Sequence, residues 1–288
     1  MNASEVLVSV LMTAYNREKY IEEAILSVAN STYANFELII LDDCSIDRTL
    51  EIAQEYQTRD PRIKVYSNQQ NLGDYPNRNK AASYAKGDLI MFVDSDDSIH
   101  MKAIEYIVKA FEKYPSAQHS TIYYEKDIFE VCLMNPKEAI TRHLYTNNML
   151  AGGPGAKVFK KTFYSSMGGY PEQYGPANDM YFNIKTTSNS AILLLPFIYL
   201  NYRIHDAQES NNRLSYLVNG YNYFVDALKL PELPLNDKEK NYFNLKSKRR
   251  FLVNSLKYYF STFRFNKLRI AFKLTRFTFN DFIKAVFQ

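Results

Sequence analysis

The 288-residue sequence has no tryptophan, two cysteines and no apolar run long enough to cross a membrane. Cys44 and Cys132 form no CxxC pair and no metal-type spacing. Neither a disulfide framework nor a cysteine metal site is expected, and a reducing, cytoplasmic setting fits. The longest apolar stretch, Ala191–Leu200, is ten residues and contains Pro196. That is well short of the ~20 residues a spanning helix needs. Met1–Val10 lacks a basic start and a long apolar segment, so no signal peptide is expected. Glycine is also scarce where it would carry meaning. The loop after the first apolar run, Thr13-Ala14-Tyr15-Asn16-Arg17, has none. A Rossmann dinucleotide site needs glycines there to admit a pyrophosphate, and no P-loop occurs elsewhere. Phosphate binding by backbone amides is therefore not expected, which leaves a metal as the route.

What is present is an ordinary globular composition, 46% hydrophobic and 23% charged, rich in Tyr and Phe. Buried-strand patterns at Val6–Met12, Phe36–Leu41, Ile63–Tyr66 and Leu89–Val93 alternate with helical ones. The helical spacing falls on Tyr20–Val28, Leu50–Tyr56 and Asn77–Ala85, with Gly87 read as the residue that ends the third helix. This order predicts an α/β fold with a parallel sheet and right-handed crossovers. Further along, helices are expected over Met101–Tyr114 and Pro136–Tyr145, and strands over Thr121–Tyr124, Ile128–Leu133 and Lys157–Phe159. Another helix is expected from Asp179. After a helix over Asn211–Leu230, the two prolines of Pro231–Asp237, with Asp237 as cap, mark a boundary. Helical patterns then fill Lys238–Phe263 and Lys267–Phe287.

Three strand ends carry polar loops: Thr13–Tyr15, Asp42-Asp43 and Asp94-Ser95-Asp96-Asp97. In a parallel sheet these gather on one edge, where ligands bind. Three carboxylates within four positions repel one another unless a cation lies among them, and Mg²⁺ or Mn²⁺ suits oxygen ligands. The alternative is a solvated turn in which Asp97 or Ser98 caps a helix. Tyr15 offers a ring face for a base, and an Asp at the second strand end can accept from a nucleobase or a ribose hydroxyl.

The segments Val8–Asn16, Leu41–Thr49, Asn71-Leu72-Gly73, Arg78-Asn79 and Val93–Asp97, in this order and spacing, resemble the family 2 glycosyltransferases. The likeness runs along most of residues 6 to 210. It implies a GT-A fold: a Rossmann-like, mostly parallel sheet flanked by helices, here with a C-terminal helical extension. By resemblance Thr13, Tyr15 and Asp43 hold the nucleoside of a nucleotide sugar, and Arg78 approaches the nucleotide. Asp94-Ser95-Asp96 resembles the family's Asp-x-Asp motif for metal and diphosphate, with Asp97 close enough to share the work. Asp179 corresponds to the family's catalytic base. The residue before it is Asn178, where the family commonly has Glu. His205 corresponds to a histidine near the metal or diphosphate, and Arg203 to a basic group able to neutralise phosphate charge. Gly152 and Gly153 fall in the region beside the acceptor sugar; a plain turn before a strand is the alternative.

The activity implied is metal-dependent, inverting transfer of a sugar from a nucleotide-diphosphate sugar, UDP-sugar favoured, to a hydroxyl of a saccharide or lipid-linked saccharide. Surface polysaccharide or glycan assembly is the expected setting. A sugar nucleotidyltransferase would need a glycine-rich, basic loop after strand one, which is missing. A non-catalytic polysaccharide-assembly subunit is the other alternative. The expected organisation is a glycosyltransferase domain over 1–230, with a nucleotide-sugar half (about 1–100) and an acceptor half (about 101–230), followed by a basic aromatic extension over 231–288. From Lys246 onward there are eleven Lys/Arg and one acid, a charge of +10; the whole chain is +4, so the first 245 residues carry −6. Eleven aromatics accompany that charge. Peripheral contact with the inner face of the cell membrane through 246–288 is one reading. Packing on the body and a homodimer contact are the others. Nucleic acid is not expected, since no recognition module accompanies the charge.

Overall fold

The computed structural model describes residues 6–125, 128–204, 213–262 and 265–287. In chain order the elements are β1 (Val8–Ala14), α1 (Ile21–Ala29), β2 (Phe36–Asp42), α2 (Thr49–Arg59), β3 (Ile63–Ser67), α3 (Asp74–Tyr84) and β4 (Leu89–Phe92). There follow β5 (Ser98–Ile99), α4 (Ala103–Lys113), β6 (His119–Ile122), β7 (Cys132–Met134), α5 (Pro136–Arg142), β8 (Lys157–Lys160) and α6 (Lys161–Ser166). The last are α7 (Asn178–Asn189), β9 (Ile192–Leu195), β10 (Leu200–Asn201), α8 (Arg213–Ala227), α9 (Asp237–Thr262), α10 (Phe265–Leu274) and α11 (Phe279–Phe287). The chain forms two compact units. Residues within 1–170 and 190–204 make the first, and residues within 171–189 and 205–288 make the second.

The first unit is built on an eight-stranded sheet of order β3-β2-β1-β4-β8-β6-β9-β7. The strands β3, β2, β1 and β4 run parallel, as the alternating strand and helix patterns require. The strand β8 runs antiparallel to both β4 and β6, and β7 antiparallel to β9, so the sheet is mixed beyond β4. The apolar runs of β1, β2 and β4 are buried on both faces. Val8, Val10 and Met12 of β1 share a core with Ile21, Ala24, Ile25 and Val28 of α1 and with Ile104, Ile107 and Phe111 of α4. That burial fixes the register, since a one-residue slip would turn this row to the opposite face.

Gly87 has a different reason from the helix-ending one. The C-cap of α3 is Ala85, and Gly87 lies two residues beyond it. A Cβ on Gly87 would sit 2.6 Å from Ser9 N and 2.7 Å from Leu7 O, while its own N–H donates to Ser9 Oγ at 2.8 Å. The requirement is close approach of two backbones where β4 enters beside β1. Gly87→Ala is expected to cost about 2–3 kcal/mol, because strand backbone cannot yield as a flexible side chain can. A urea titration of the variant would measure that loss.

The second unit is helical. The cap of α9 is Asn236 rather than Asp237: Asn236 Oδ1 accepts from Glu239 N at 2.9 Å, and Asn236 N donates to Glu239 Oε2 at 2.8 Å. This reciprocal pair satisfies two otherwise unpaired N–H groups. The helical pattern over Lys267–Phe287 divides into α10 and α11. Asn222 of α8 donates Nδ2 to Leu274 O at 3.1 Å, capping the end of α10. Thr278 Oγ1 then accepts from Asp281 N at 3.2 Å, and Thr278 N donates to Asp281 Oδ2 at 2.9 Å, which starts α11 afresh. No described helix is long and apolar enough to cross a membrane.

Candidate functional site

The ends of β1, β2 and β4 lie along one edge of the sheet. Ala14 is paired with Asp42 and Leu11 with Phe92. Just beyond, Asp43 N donates to Ala14 O at 2.8 Å and Val93 N to Leu11 O at 3.0 Å. After β4 the chain turns at once, with Asp97 N donating to Asp94 O at 3.0 Å. It then enters β5, which pairs antiparallel with β10. The next helix, α4, has Lys102 at its N-cap, so neither Asp97 nor Ser98 caps a helix. The turn instead brings one oxygen from each of Asp94, Asp96 and Asp97 within 4.8 Å of the others.

Arginines hold these carboxylates. Arg17 Nε donates to Asp96 Oδ2 at 2.9 Å, and its Nη1 donates to Tyr15 O and Asn16 O at 3.1 Å each. Arg78, buried in α3, places Nη1 2.7 Å from Asp94 Oδ1, while its Nε donates to Asp74 Oδ1 at 2.8 Å. The Arg78–Asp94 contact is a charge pair without hydrogen-bond alignment, and both buried atoms lack a hydrogen bond. Burial opposes the charge on Arg78, but Asp74 and Asp94 outweigh it and push its pKa well up. The β5–β10 ribbon delivers Arg203, whose N donates to Asp97 Oδ1 at 2.9 Å and whose Nε donates to Asp96 O at 3.1 Å. Burial, with the like charges of Asp94 and Asp96, pushes the Asp97 carboxyl up to about 7 against that hydrogen bond.

A divalent cation fits this donor set. Asp94 Oδ1, a buried carboxylate oxygen 2.7 Å from Arg78 Nη1, makes no aligned hydrogen bond and keeps a lone pair for a ligand. The three groups are hard oxygen ligands, as Mg²⁺ and Mn²⁺ require.

The other expected residues of this unit vary in what they do. Thr13 is half-buried at the end of β1, and Tyr15 is 45% exposed. Ser95 is buried. Both carboxylate oxygens of Asp43 are engaged: Oδ1 accepts from Asn68 Nδ2 at 2.7 Å and Leu72 N at 2.9 Å, and Oδ2 from Gly73 N at 2.9 Å. Asp43 thus fixes the 68–73 loop at the site edge. Asn79 pins the chain at Tyr170: its Nδ2 donates to Tyr170 O at 2.8 Å, and its Oδ1 accepts from Tyr170 N at 2.9 Å. A Cβ on Gly152 would lie 2.9 Å from Ala156 Cβ, a contact within the turn that leads to β8. Gly153 is exposed in the same turn.

Residues 9–166, more than half of the sequence, match the family model for Glycosyl transferase family 2. The chain belongs to glycosyl transferase family 2. An uncharacterized glycosyltransferase of Haemophilus influenzae is 35% identical over 144 residues, covering 50% of this chain and 45% of that protein. The poly(ribitol-phosphate) β-N-acetylglucosaminyltransferase TarS of Staphylococcus aureus is 28% identical over 202 residues, covering 63% of this chain and 32% of TarS. The structure of TarS 1–349 in complex with UDP-GlcNAc superposes with a TM-score of 0.74 at 21% identity, covering 97% of this chain and 81% of that one. A mannosyltransferase from Pyrobaculum calidifontis in complex with GDP-Man and Mn²⁺ superposes with a TM-score of 0.60 at 15% identity, covering 93% and 73%. These likenesses establish the GT-A fold. The chain spans less than half the length of the first curated relatives it matches.

In this member of glycosyl transferase family 2, the expected residues Asn178 and Asp179 fall in the second unit. Asp179 is buried in the first turn of α7, its Oδ1 accepting from Met180 N at 2.7 Å. Burial pushes up the pKa of the Tyr223 hydroxyl to about 12, with the Asp179 charge adding to it. Asn178 Oδ1 accepts from Tyr174 N at 2.9 Å, so this side chain secures the preceding turn. His205 lies outside the described residues.

Two contributors carried no readable role in the sequence. Arg17 ends the quoted first loop, yet its partner Asp96 lies 79 positions away. Asn68 carried no motif, and its role becomes visible only beside Asp43.

A cation held by Asp97 would bind with an affinity that depends on pH. Its carboxyl stays protonated in the folded protein up to about pH 7, and a ligand must lose its proton to bind. Mn²⁺ affinity is expected to rise about tenfold per pH unit below that point and to level off above it. The sign for stability is opposite. The folded protein holds this proton more tightly than the unfolded chain, so stability falls as pH rises through the acid range towards about 7. Calorimetry of Mn²⁺ binding should show the rise in the parent protein and a weaker, flat profile in Asp97→Asn.

Proposed function

We propose that the chain transfers a sugar from a nucleotide-diphosphate sugar, UDP-sugar favoured, to a hydroxyl of a saccharide acceptor, with inversion at the anomeric carbon. The observation that carries this reading is the Asp94, Asp96 and Asp97 cluster at the sheet edge, set among three arginines. Asp94, Asp96 and Asp97 would hold Mn²⁺ or Mg²⁺, and the sequence resemblance adds His205 to that set. When bound, the ion would supply charge stabilisation for the leaving diphosphate. Arg17, paired with Asp96, and Arg203, whose Nη2 is paired with Glu23 at 2.5 Å, flank it. Tyr15 and Thr13 face the nucleoside, with Asp43 holding the 68–73 loop in place for it. Arg78 approaches the nucleotide beside Asp94, with which it is paired at 2.7 Å.

Asp179 takes the proton from the attacking hydroxyl in this reading. One base and no enzyme nucleophile are the needs of an inverting transfer. Residues of about 1–100 form the donor half and about 101–230 the acceptor half. TarS is named as an N-acetylglucosaminyltransferase acting on poly(ribitol-phosphate), which supports a hydroxyl-bearing polymer as the acceptor class.

The product distinguishes this from nucleotidyl transfer. Incubation with UDP-GlcNAc and a panel of saccharide acceptors should release UDP in step with acceptor glycosylation. In a parallel incubation with UTP and a sugar 1-phosphate, pyrophosphate release would instead mean formation of a sugar nucleotide.

A further inference from the structure

The helix α11 turns the wrong side inward for a core element. It meets α9 through polar and small groups. Lys248 Nζ lies 2.8 Å from Asp281 Oδ1, Arg249 Nε donates to Ala285 O at 3.2 Å, and Ala285 is buried. Partial burial pushes the Asp281 carboxyl up, but hydrogen bonds from Lys248 and Thr278 outweigh it and hold the group below its ordinary value. The other face carries Phe279, Phe282, Ile283 and Val286 at spacings of three and four residues. They are 78%, 42%, 42% and 51% exposed. The rings of Phe279 and Phe282 lie nearly parallel, with centroids 6.3 Å apart. An amphipathic helix ordinarily buries such a stripe. The Thr278–Asp281 cap and the Lys248 ion pair fix the rotation of α11, so the stripe is held outward by specific contacts.

The segment that carries it, from Lys246 onward, has a charge of +10. The one acid from Lys246 onward, Asp281, is already paired with Lys248. Lys257 and Lys273 are exposed.

We propose that α11 docks on an anionic lipid bilayer, with this stripe at the boundary of headgroups and acyl chains and the basic residues over the headgroups. A second copy would satisfy the stripe but would bring two segments of charge +10 together, which repel. A soluble polyanion would satisfy the charge and leave the stripe in water. An anionic bilayer meets both needs. This surface is independent of the donor-site reading, and either can fail without the other.

The test is co-sedimentation of the 288-residue chain with phosphatidylglycerol/phosphatidylcholine vesicles and with phosphatidylcholine alone, at low and high salt. Binding to the anionic vesicles is expected, weakened by salt. It should fall at least about tenfold in the variant carrying Phe279→Ser, Phe282→Ser and Ile283→Ser. An unchanged melting temperature and unchanged UDP affinity would show that this variant is folded. Should it fail to fold, the exposed pair Lys257→Glu and Lys273→Glu gives the second reading, with the same direction expected. Absence of binding to anionic vesicles, or binding that none of these changes weakens, overturns the proposal. A dimer by light scattering that the apolar substitutions dissolve overturns it in favour of a second copy.

Discussion

Asp96→Asn is expected to cut turnover by about 10³-fold or more and to remove the dependence of UDP binding on Mn²⁺. Asp96 lies at the meeting point of the site. Its Oδ2 accepts from Arg17, its main-chain O accepts from Arg203, and its carboxylate shares the oxygen cluster with Asp94 and Asp97. Asparagine keeps an oxygen for Arg17, so the cost to folding should be small, about 1 kcal/mol, as for a partly exposed ion pair. What it removes is the negative charge that a hard divalent ion needs. Steady-state kinetics against a Mn²⁺ titration, with a thermal melt of the same sample, separates the two effects. A variant that melts early and recovers full turnover at low temperature would make Asp96 a structural anchor instead.

Asp179→Asn should lower kcat by about 10²–10⁴-fold while leaving Mn²⁺-supported UDP affinity unchanged, which is the range for loss of a general base. The amide is close to isosteric and its Oδ1 can still accept from Met180 N, the bond seen at 2.7 Å. The start of α7 should therefore survive the change. Loss of turnover with retained donor affinity identifies a group acting on the acceptor hydroxyl. Full turnover would remove Asp179 from the reaction and leave it as a first-turn helix stabiliser, the role its position alone explains. Asn178 is bonded to Tyr174 N, so Asn178→Ala should disturb the preceding turn more than the chemistry.

The sheet was legible because β1, β2 and β4 are buried on both faces and therefore read as short, continuous apolar runs. Parallel order followed from the helices between them. The site edge followed from topology, since the polar loops after these strands had to gather. The contacts that charge the site did not follow. Arg17 and Asp96 are 79 positions apart, and Arg203 and Asp97 are 106 apart. Arg203 arrives through a ribbon of two residues per strand, too short to leave any alternation in the sequence. Asp43 also accepts from Asn68 and from the N–H groups of Leu72 and Gly73, contacts set by loop conformation that side-chain types do not record. The break between α10 and α11 had a local signal, Thr278 followed three residues later by Asp281, masked by apolar spacing that continues across it. Its other half, Asn222 reaching Leu274 O, comes from 52 positions away.

A diphosphate held through a cation on Asp94, Asp96 and Asp97 makes one direct demand on solution behaviour. Titration of UDP into the protein by calorimetry, once in Mn²⁺ and once after chelation with EDTA, measures it. Binding at least about 100-fold tighter with Mn²⁺ is expected, with the difference abolished in Asp96→Asn. Equal UDP affinity with and without the ion would contradict a metal-held diphosphate and transfer that task to Arg17, Arg78 and Arg203.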